Sequence, residues 1–207
     1  MEVVASVRGE SLESLQALLV FVVPFLSCLP FFMLGYLTEE AGNYVVYSIY
    51  IASSILLTRH NRRSLSEIGL TRKGFLASLG FSSVPVAVLF MREYLSGNIQ
   101  LSPDAASWTA VSYTLFFWFF GGLGQEMLFR GLIFFSLQRW KGSKAALLAS
   151  SLLFGLIHFR QGAVGVIRTT VIGAYWGWVA LKTRNIVGTT LAHGTYNFLL
   201  ETIWTGV

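Results

Sequence analysis

Apolar residues run along this chain in seven stretches, at about 17–37, 44–58, 74–91, 107–138, 145–159, 163–181 and 186–204, divided by short polar connections. Most are long enough, at about 1.5 Å of helical rise per residue, to approach the ~30 Å hydrocarbon core of a bilayer. The pattern therefore predicts an all-α, polytopic transmembrane helical bundle of about seven spans. No repeat or low-complexity tract interrupts it, so residues 1–207 read as a single integral membrane domain. Pro24, Pro30 and Pro85 fall inside spans, which is tolerated where neighbouring side chains or waters satisfy the freed backbone groups.

The polar connections orient the bundle. The stretch 59–73 carries Arg59, Arg62, Arg63, Arg72 and Lys73 against one acid, Glu67, whereas the preceding turn carries Glu39 and Glu40 with no base. Basic loops face the cytoplasm, which places 59–73, the group Arg139, Lys141 and Lys144, and the pair Lys182 and Arg184 inside. The N-terminus is then cytoplasmic, and the turns near 92–106 and 160–162 lie outside. Parity requires the 32-residue run 107–138 to cross an odd number of times, although a continuous helix of that length would reach about 48 Å. One long crossing, tilted or broken, is the simplest solution, and Gly121-Gly122-Leu123-Gly124 is the expected place for the break.

Composition agrees and narrows the class. Of 207 residues 54% are hydrophobic and 12% charged, and the mean hydropathy is +0.63. So few charges cannot cover a soluble surface, and the balance excludes a nucleic-acid binder, a disordered tail and a disulfide scaffold. The net charge of +5 is mostly topology, because ten of the fifteen basic residues sit in the three inner connections. The one cysteine, Cys28, lies in the first run; Phe25-Leu26-Ser27-Cys28 faintly resembles a lipid-attachment site, but Glu2, Glu10 and Glu13 precede it against only Arg8, the wrong charge for a signal peptide. A retained first span is expected.

The chemistry lies in polar residues inside the apolar runs. Glu126 and Arg130 are four apart, share a helix face and can pair. A charge at the centre of a span costs on the order of 2.5–3.5 kcal/mol, so such groups line a bundle interior or a wet cavity. His158 follows Phe154 by four residues, and His193 precedes Asn197 by four, again on one face. Singly, each has a plain structural reading as an ion pair or as interhelical glue. Together they are three helices offering polar groups to one interior: helical rise from the cytoplasmic ends puts Glu126 and His158 about 20 Å up and His193 about 10 Å up.

Gly173 and Gly177, and Ala146 and Ser150, are small-residue pairs suited to close helix packing. Arg168 is a further intramembrane charge near the outer end of its run. Snorkelling to the interface is its plain reading, and a hold on a substrate carboxylate the sharper one.

An acid, two histidines and an asparagine suit hydrolysis by activated water: a base, a group to position the water, and donors for the oxyanion. No serine or cysteine is placed for covalent catalysis. Two His and one Glu can hold zinc, but HExxH spacing is absent and Arg130 disfavours a cation, so no metal or cofactor is expected.

At these residues the chain resembles the CPBP intramembrane proteases, which include CAAX prenyl-protein endopeptidases and bacteriocin-processing or self-immunity proteins. The family's motifs are a double glutamate followed by arginine, Phe-x-x-x-His and His-x-x-x-Asn. They correspond here to Gln125-Glu126-x-x-x-Arg130, Phe154 to His158, and His193 to Asn197, within a core of about 107–200; Glu67-Ile68-Gly69-Leu70-Thr71 also looks familiar. The resemblance implies an endopeptidase cutting near the C-terminus of a membrane-anchored or lipidated protein in the bilayer, with no nucleic-acid partner. By carry-over His158 orients the water, His193 and Asn197 form the oxyanion hole, and Glu126 and Arg130 support the site.

The departure is Gln125, where the family has its water-activating glutamate. An amide holds a water but takes no proton from it, and losing a general base costs about 10²–10⁴-fold. Three readings follow: a replacement introduced to trap a substrate or product complex, a natural pseudoprotease, or a variant in which Glu126 takes over. The intactness of every other motif position favours the first. A bacteriocin-immunity or scaffold protein without catalysis is the main competitor; a proton-coupled transporter is disfavoured by the absence of inverted repeats.

The expected site depth, in the middle or outer half of a bacterial cell membrane, makes topology the first test. Reporter fusions at residues 97 and 142 should report opposite sides, 142 cytoplasmic; the same side for both contradicts the predicted orientation.

Overall fold

In the computed structural model, residues 2–34, 39–99, 112 and 116–202 are described, and they contain helices and turns but no strand. Helix α1 (Glu2–Met33) and α2 (Glu39–His60) are followed by a 3-10 turn at Leu65–Ile68 and by α3 (Phe75–Leu95). A central helix then winds as a π turn over Phe117–Gly122, as α4 (Leu123–Glu126), as a second π turn over Met127–Ile133, and as α5 (Phe134–Leu156). A 3-10 turn at Phe159–Gln161 leads to α6 (Gly162–Thr183) and α7 (Val187–Thr202). The all-α expectation holds. Residues 107–111 and 113–115, the start of the fourth apolar run, lie outside the described residues.

Among the described residues three stretches are long and apolar enough to cross a membrane: Gly9–Ser27, Phe75–Leu95 and Phe159–Thr183. The described part of α7, Val187–Thr202, has 16 residues and covers about 24 Å, and residues 203–204 of that predicted run lie outside the described residues. The central helix carries Glu126 and Arg130. It is buried on every side from Met127 to Ile133, as a helix enclosed by its neighbours must be.

The expected break at Gly121-Gly122-Leu123-Gly124 is not there. The backbone stays helical through it, widening into π turns on either side, a geometry rare outside functional regions. The interruption lies instead at Gly142, whose φ of 82° and ψ of 170° turn the chain between Arg139 and Lys144. A left-handed φ there costs glycine nothing, and the basic connection predicted at this point is a corner where two helices meet.

Polar side chains fasten one end of the bundle. Glu13 of α1 accepts from Arg139 at 2.7 Å and from Arg63 at 3.2 Å, and Asn61 donates to Gln16 at 3.0 Å. Ser64 and Glu67 form a capping box on the 3-10 turn. Burial opposes ionisation of Glu67, but the Ser64 N–H and the Arg63 guanidinium outweigh it and hold this carboxyl below its ordinary value.

Two further contacts position the elements that carry the site. Pro85 has no N–H for the Phe81 carbonyl one turn back, and the Tyr175 hydroxyl of α6 donates to that carbonyl at 2.9 Å. Trp176 Nε1 donates to the Ser82 carbonyl beside it at 3.1 Å, so the proline opens a docking point on α3 for α6. Below, the buried Asn185 amide donates to the carbonyls of Thr71 and Lys73, and its oxygen caps α7 through the Gly188 N–H at 3.0 Å. The Ile186 N–H adds a bond to the Gly69 carbonyl, so the 64–73 loop and the start of α7 form one unit.

Asn185→Ala removes these bonds while leaving the loop carbonyls buried. It should lower the unfolding free energy in detergent by about 2–4 kcal/mol; a loss below about 0.5 kcal/mol in denaturant titration contradicts this fastening.

Candidate active site

The centre of the molecule is Glu126, whose side chain has no solvent exposure. One carboxylate oxygen faces two partners: His193 Nδ1 at 2.9 Å, from α7, and Arg130 Nη1 at 3.2 Å, one turn along. Arg130 is equally buried, and none of its guanidinium nitrogens has a well-formed hydrogen bond among the described residues. Its charge is met by the carboxylate and by π faces, with Cζ 3.9 Å from the Phe154 ring centre and 5.9 Å from that of Trp176. A buried pair of this kind persists only if both charges keep their partners.

Phe154, the aromatic of the second motif, is the hub. Its ring also meets His158 edge-on at 4.9 Å and His193 at 5.6 Å between centres. It fits because α6 presents glycine opposite: a Cβ at Gly173 would stand 2.8 Å from Phe154 and 3.2 Å from the Arg130 guanidinium. The predicted Gly173 and Gly177 stripe therefore lies against α5, whose own small residues Ala146 and Ser150 are buried, and α5 with α6 forms the most extensive helix pair described.

His158 sits just past the last turn of α5, not within the helix. Its Nδ1 lies 2.8 Å from the Phe154 carbonyl, which can only accept, so Nδ1 carries the proton and Nε2 the lone pair. His193 Nδ1 likewise faces an acceptor, the Glu126 carboxylate, so in the neutral ring Nε2 is the acceptor nitrogen.

His158, His193 and Asn197 line one cavity of about 40 Å³ with Phe154, Gln161, Arg168, Thr169, Ile172, Trp176 and Tyr196. That volume has room for water molecules but not for a peptide.

The six expected residues thus divide. His158, His193 and Asn197 meet at the cavity; Glu126 lies directly behind His193, and Arg130 behind Phe154. Gln125 is turned elsewhere, 3% exposed, with its amide nitrogen donating to the Tyr47 hydroxyl of α2 at 2.8 Å and its oxygen unpartnered among the described residues. The close approach of α2 at Gly124, where a Cβ would lie 2.8 Å from Tyr47, brings this about. Among the described residues Glu126, His158 and His193 do not converge as a three-ligand metal site. Trp176 was missed in the sequence reading: its ring packs 4.7 Å from that of His193 at a 33° tilt. The signal was its place one turn beyond Ile172 on the face that carries Arg168.

These features define an integral membrane protein of helices built around a buried carboxylate and imidazole. A family model described as type II CAAX prenyl endopeptidase, Rce1-like, matches residues 107–199. The match spans just under half of the chain, the stretch that carries Glu126, Arg130, Phe154, His158, His193 and Asn197, and it supports the resemblance to the CPBP family. Neither a curated protein nor a solved structure matches the chain.

Gly173→Ala should push the Phe154 ring and the Arg130 guanidinium from their seats and lower stability by about 1–3 kcal/mol. Thermal unfolding in detergent measures this, and an alanine variant as stable as the parent contradicts the close approach.

Proposed function

We propose that this protein is an intramembrane endopeptidase that hydrolyses a peptide bond near the C-terminus of a membrane-anchored or lipidated protein. In this reading it works in a bacterial cell membrane with its N-terminus in the cytoplasm and about seven spans. The observation that carries the proposal is the hydrogen bond between His193 Nδ1 and Glu126, beside the cavity shared with His158 and Asn197.

The chemistry follows from the tautomers. A water in the cavity gives its proton to His193 Nε2 as its oxygen attacks the scissile carbonyl carbon. Glu126 holds the ring in the required tautomer and stabilises the imidazolium that forms, as a carboxylate does behind any histidine base. His158 Nε2 accepts the water's second O–H and fixes its orientation. The Asn197 amide donates to the oxyanion of the tetrahedral intermediate. Collapse of the intermediate breaks the C–N bond, and the proton on His193 passes to the leaving amine. Arg130 keeps the Glu126 charge bearable in a site without bulk water.

Of the three readings of Gln125, its placement against Tyr47 and outside the cavity wall favours the one in which Glu126 takes over. The carboxylate acts through the histidine rather than on water itself. This assigns to His193 the base that the family resemblance assigns to the position of Gln125, and leaves the oxyanion to Asn197.

The test is cleavage of C-terminal peptides by the purified protein in liposomes, followed by mass spectrometry. Glu126→Gln and His193→Ala should each lower kcat by about 10²–10⁴-fold. Gln125→Ala should stay within about tenfold of the parent, and His158→Ala is the inactive control. A parent that cleaves nothing until Gln125→Glu is made contradicts the His193 base and restores position 125 as the water-activating residue.

A further inference from the structure

We infer that Arg168 is the specificity-determining residue of this site, a clamp for the free α-carboxylate at the end of the substrate chain. The inference rests on the peptidase reading above and adds how the chain end is recognised.

Arg168 stands on α6 and lines the cavity that holds His158, His193 and Asn197. It is exposed, its Nη2 donates to Gln161 Oε1 at 3.2 Å, and among the described residues no carboxylate lies within ion-pair distance of it. The other cations near functional elements are committed. Arg130 faces Glu126, and Arg92 is engaged with Glu93, which also accepts from Asn98 at 2.8 Å. Snorkelling alone accounts for an arginine at a membrane interface, but not for one held by an amide on the wall of a hydrolytic cavity. Gln161 uses only one of the five guanidinium N–H groups, which leaves the fork that receives a carboxylate bidentately.

The spacing along α6 supports the same occupant. Arg168, Ile172 and Trp176 follow at four-residue intervals on one face, and all three line the cavity. Eight residues of helix rise about 12 Å, and Trp176 is the ring against which His193 packs. An extended peptide covers 12 Å in about three or four residues. Between the clamp and the water-activating histidine the wall is Ile172 and Thr169, which suits apolar side chains on that short tail. A chain whose terminal carboxylate is engaged by Arg168 is therefore cut at a fixed, short distance from its end.

The experiment compares two pools of the same synthetic peptides, apolar at the C-terminus, one with free carboxylates and one C-terminally amidated. Each is incubated with the protein in phosphatidylcholine liposomes and the new termini are read by mass spectrometry. The parent should cleave the free-acid pool about 10- to 100-fold faster, as expected for loss of a charge-assisted pair, with cuts at one distance from the end. Arg168→Gln should raise KM on the free-acid pool by a similar factor, abolish the preference between pools and scatter the cut positions, while Arg168→Lys recovers part of the preference. Equal cleavage of both pools by the parent, or an unchanged preference in Arg168→Gln, overturns the clamp and leaves the peptidase reading standing. Cleavage of neither pool by the parent, with folding verified by circular dichroism, overturns both.

Discussion

A carboxylate withdrawn from water must be matched by positive charge or by donors, and in this protein that demand falls on Glu126. Its solutions are one arginine a turn away and one histidine from another helix. Each partner creates a demand of its own. Arg130 has more donors than Glu126 can accept, and the excess charge lies over the face of Phe154, which needs Gly173 opposite to fit. His193 must be held at one tilt, and Trp176 supplies the flat surface for it. Glu126, Arg130, Phe154, His158 and His193 are far apart in sequence, yet they form a single chain of contacts starting from one buried charge.

The elements farther out serve that chain of contacts. A proline in α3 frees a carbonyl that Tyr175 then takes, which fixes the rotation of α6 and with it Trp176, Gly173 and Arg168. Asn185 ties the start of α7 to the 64–73 loop, which fixes the depth of His193. The wide π turns of the central helix pack Glu126 against α7 while the neighbouring Gln125 turns to α2. Two adjacent polar residues consequently have different surroundings: one meets the imidazole of the cavity, the other a tyrosine on the opposite side.

Much of this was legible in the sequence, because the bilayer makes polar residues conspicuous. Glu126, Arg130, His158, His193 and Asn197 stood out as the groups an apolar run cannot carry without a reason, and their spacing carried the family resemblance that residues 107–199 bear out. Small-residue pairs announced the contact between α5 and α6. What was not legible depends on backbone geometry that composition does not encode. Three glycines in four residues read as a break but stay helical, at the passage from a π turn to an α turn, whereas the lone Gly142 makes the corner. The direction of Gln125 depends on how closely α2 approaches at Gly124, a tertiary distance without local signal. Asn185 and Tyr175 carry no local signal, since the carbonyls they satisfy lie about a hundred positions away.

The central claim is that the Glu126 carboxylate selects the tautomer of His193 and so leaves Nε2 ready to take a proton. Solid-state ¹⁵N NMR of the histidine-labelled protein in lipid bilayers, with His193 assigned by its loss in His193→Gln, tests this directly. The account predicts a resting His193 with the proton on Nδ1, hydrogen-bonded to Glu126, and a bare Nε2, a state lost in Glu126→Gln. A resting His193 protonated on Nε2 and bare at Nδ1, or one indifferent to Glu126→Gln, contradicts it.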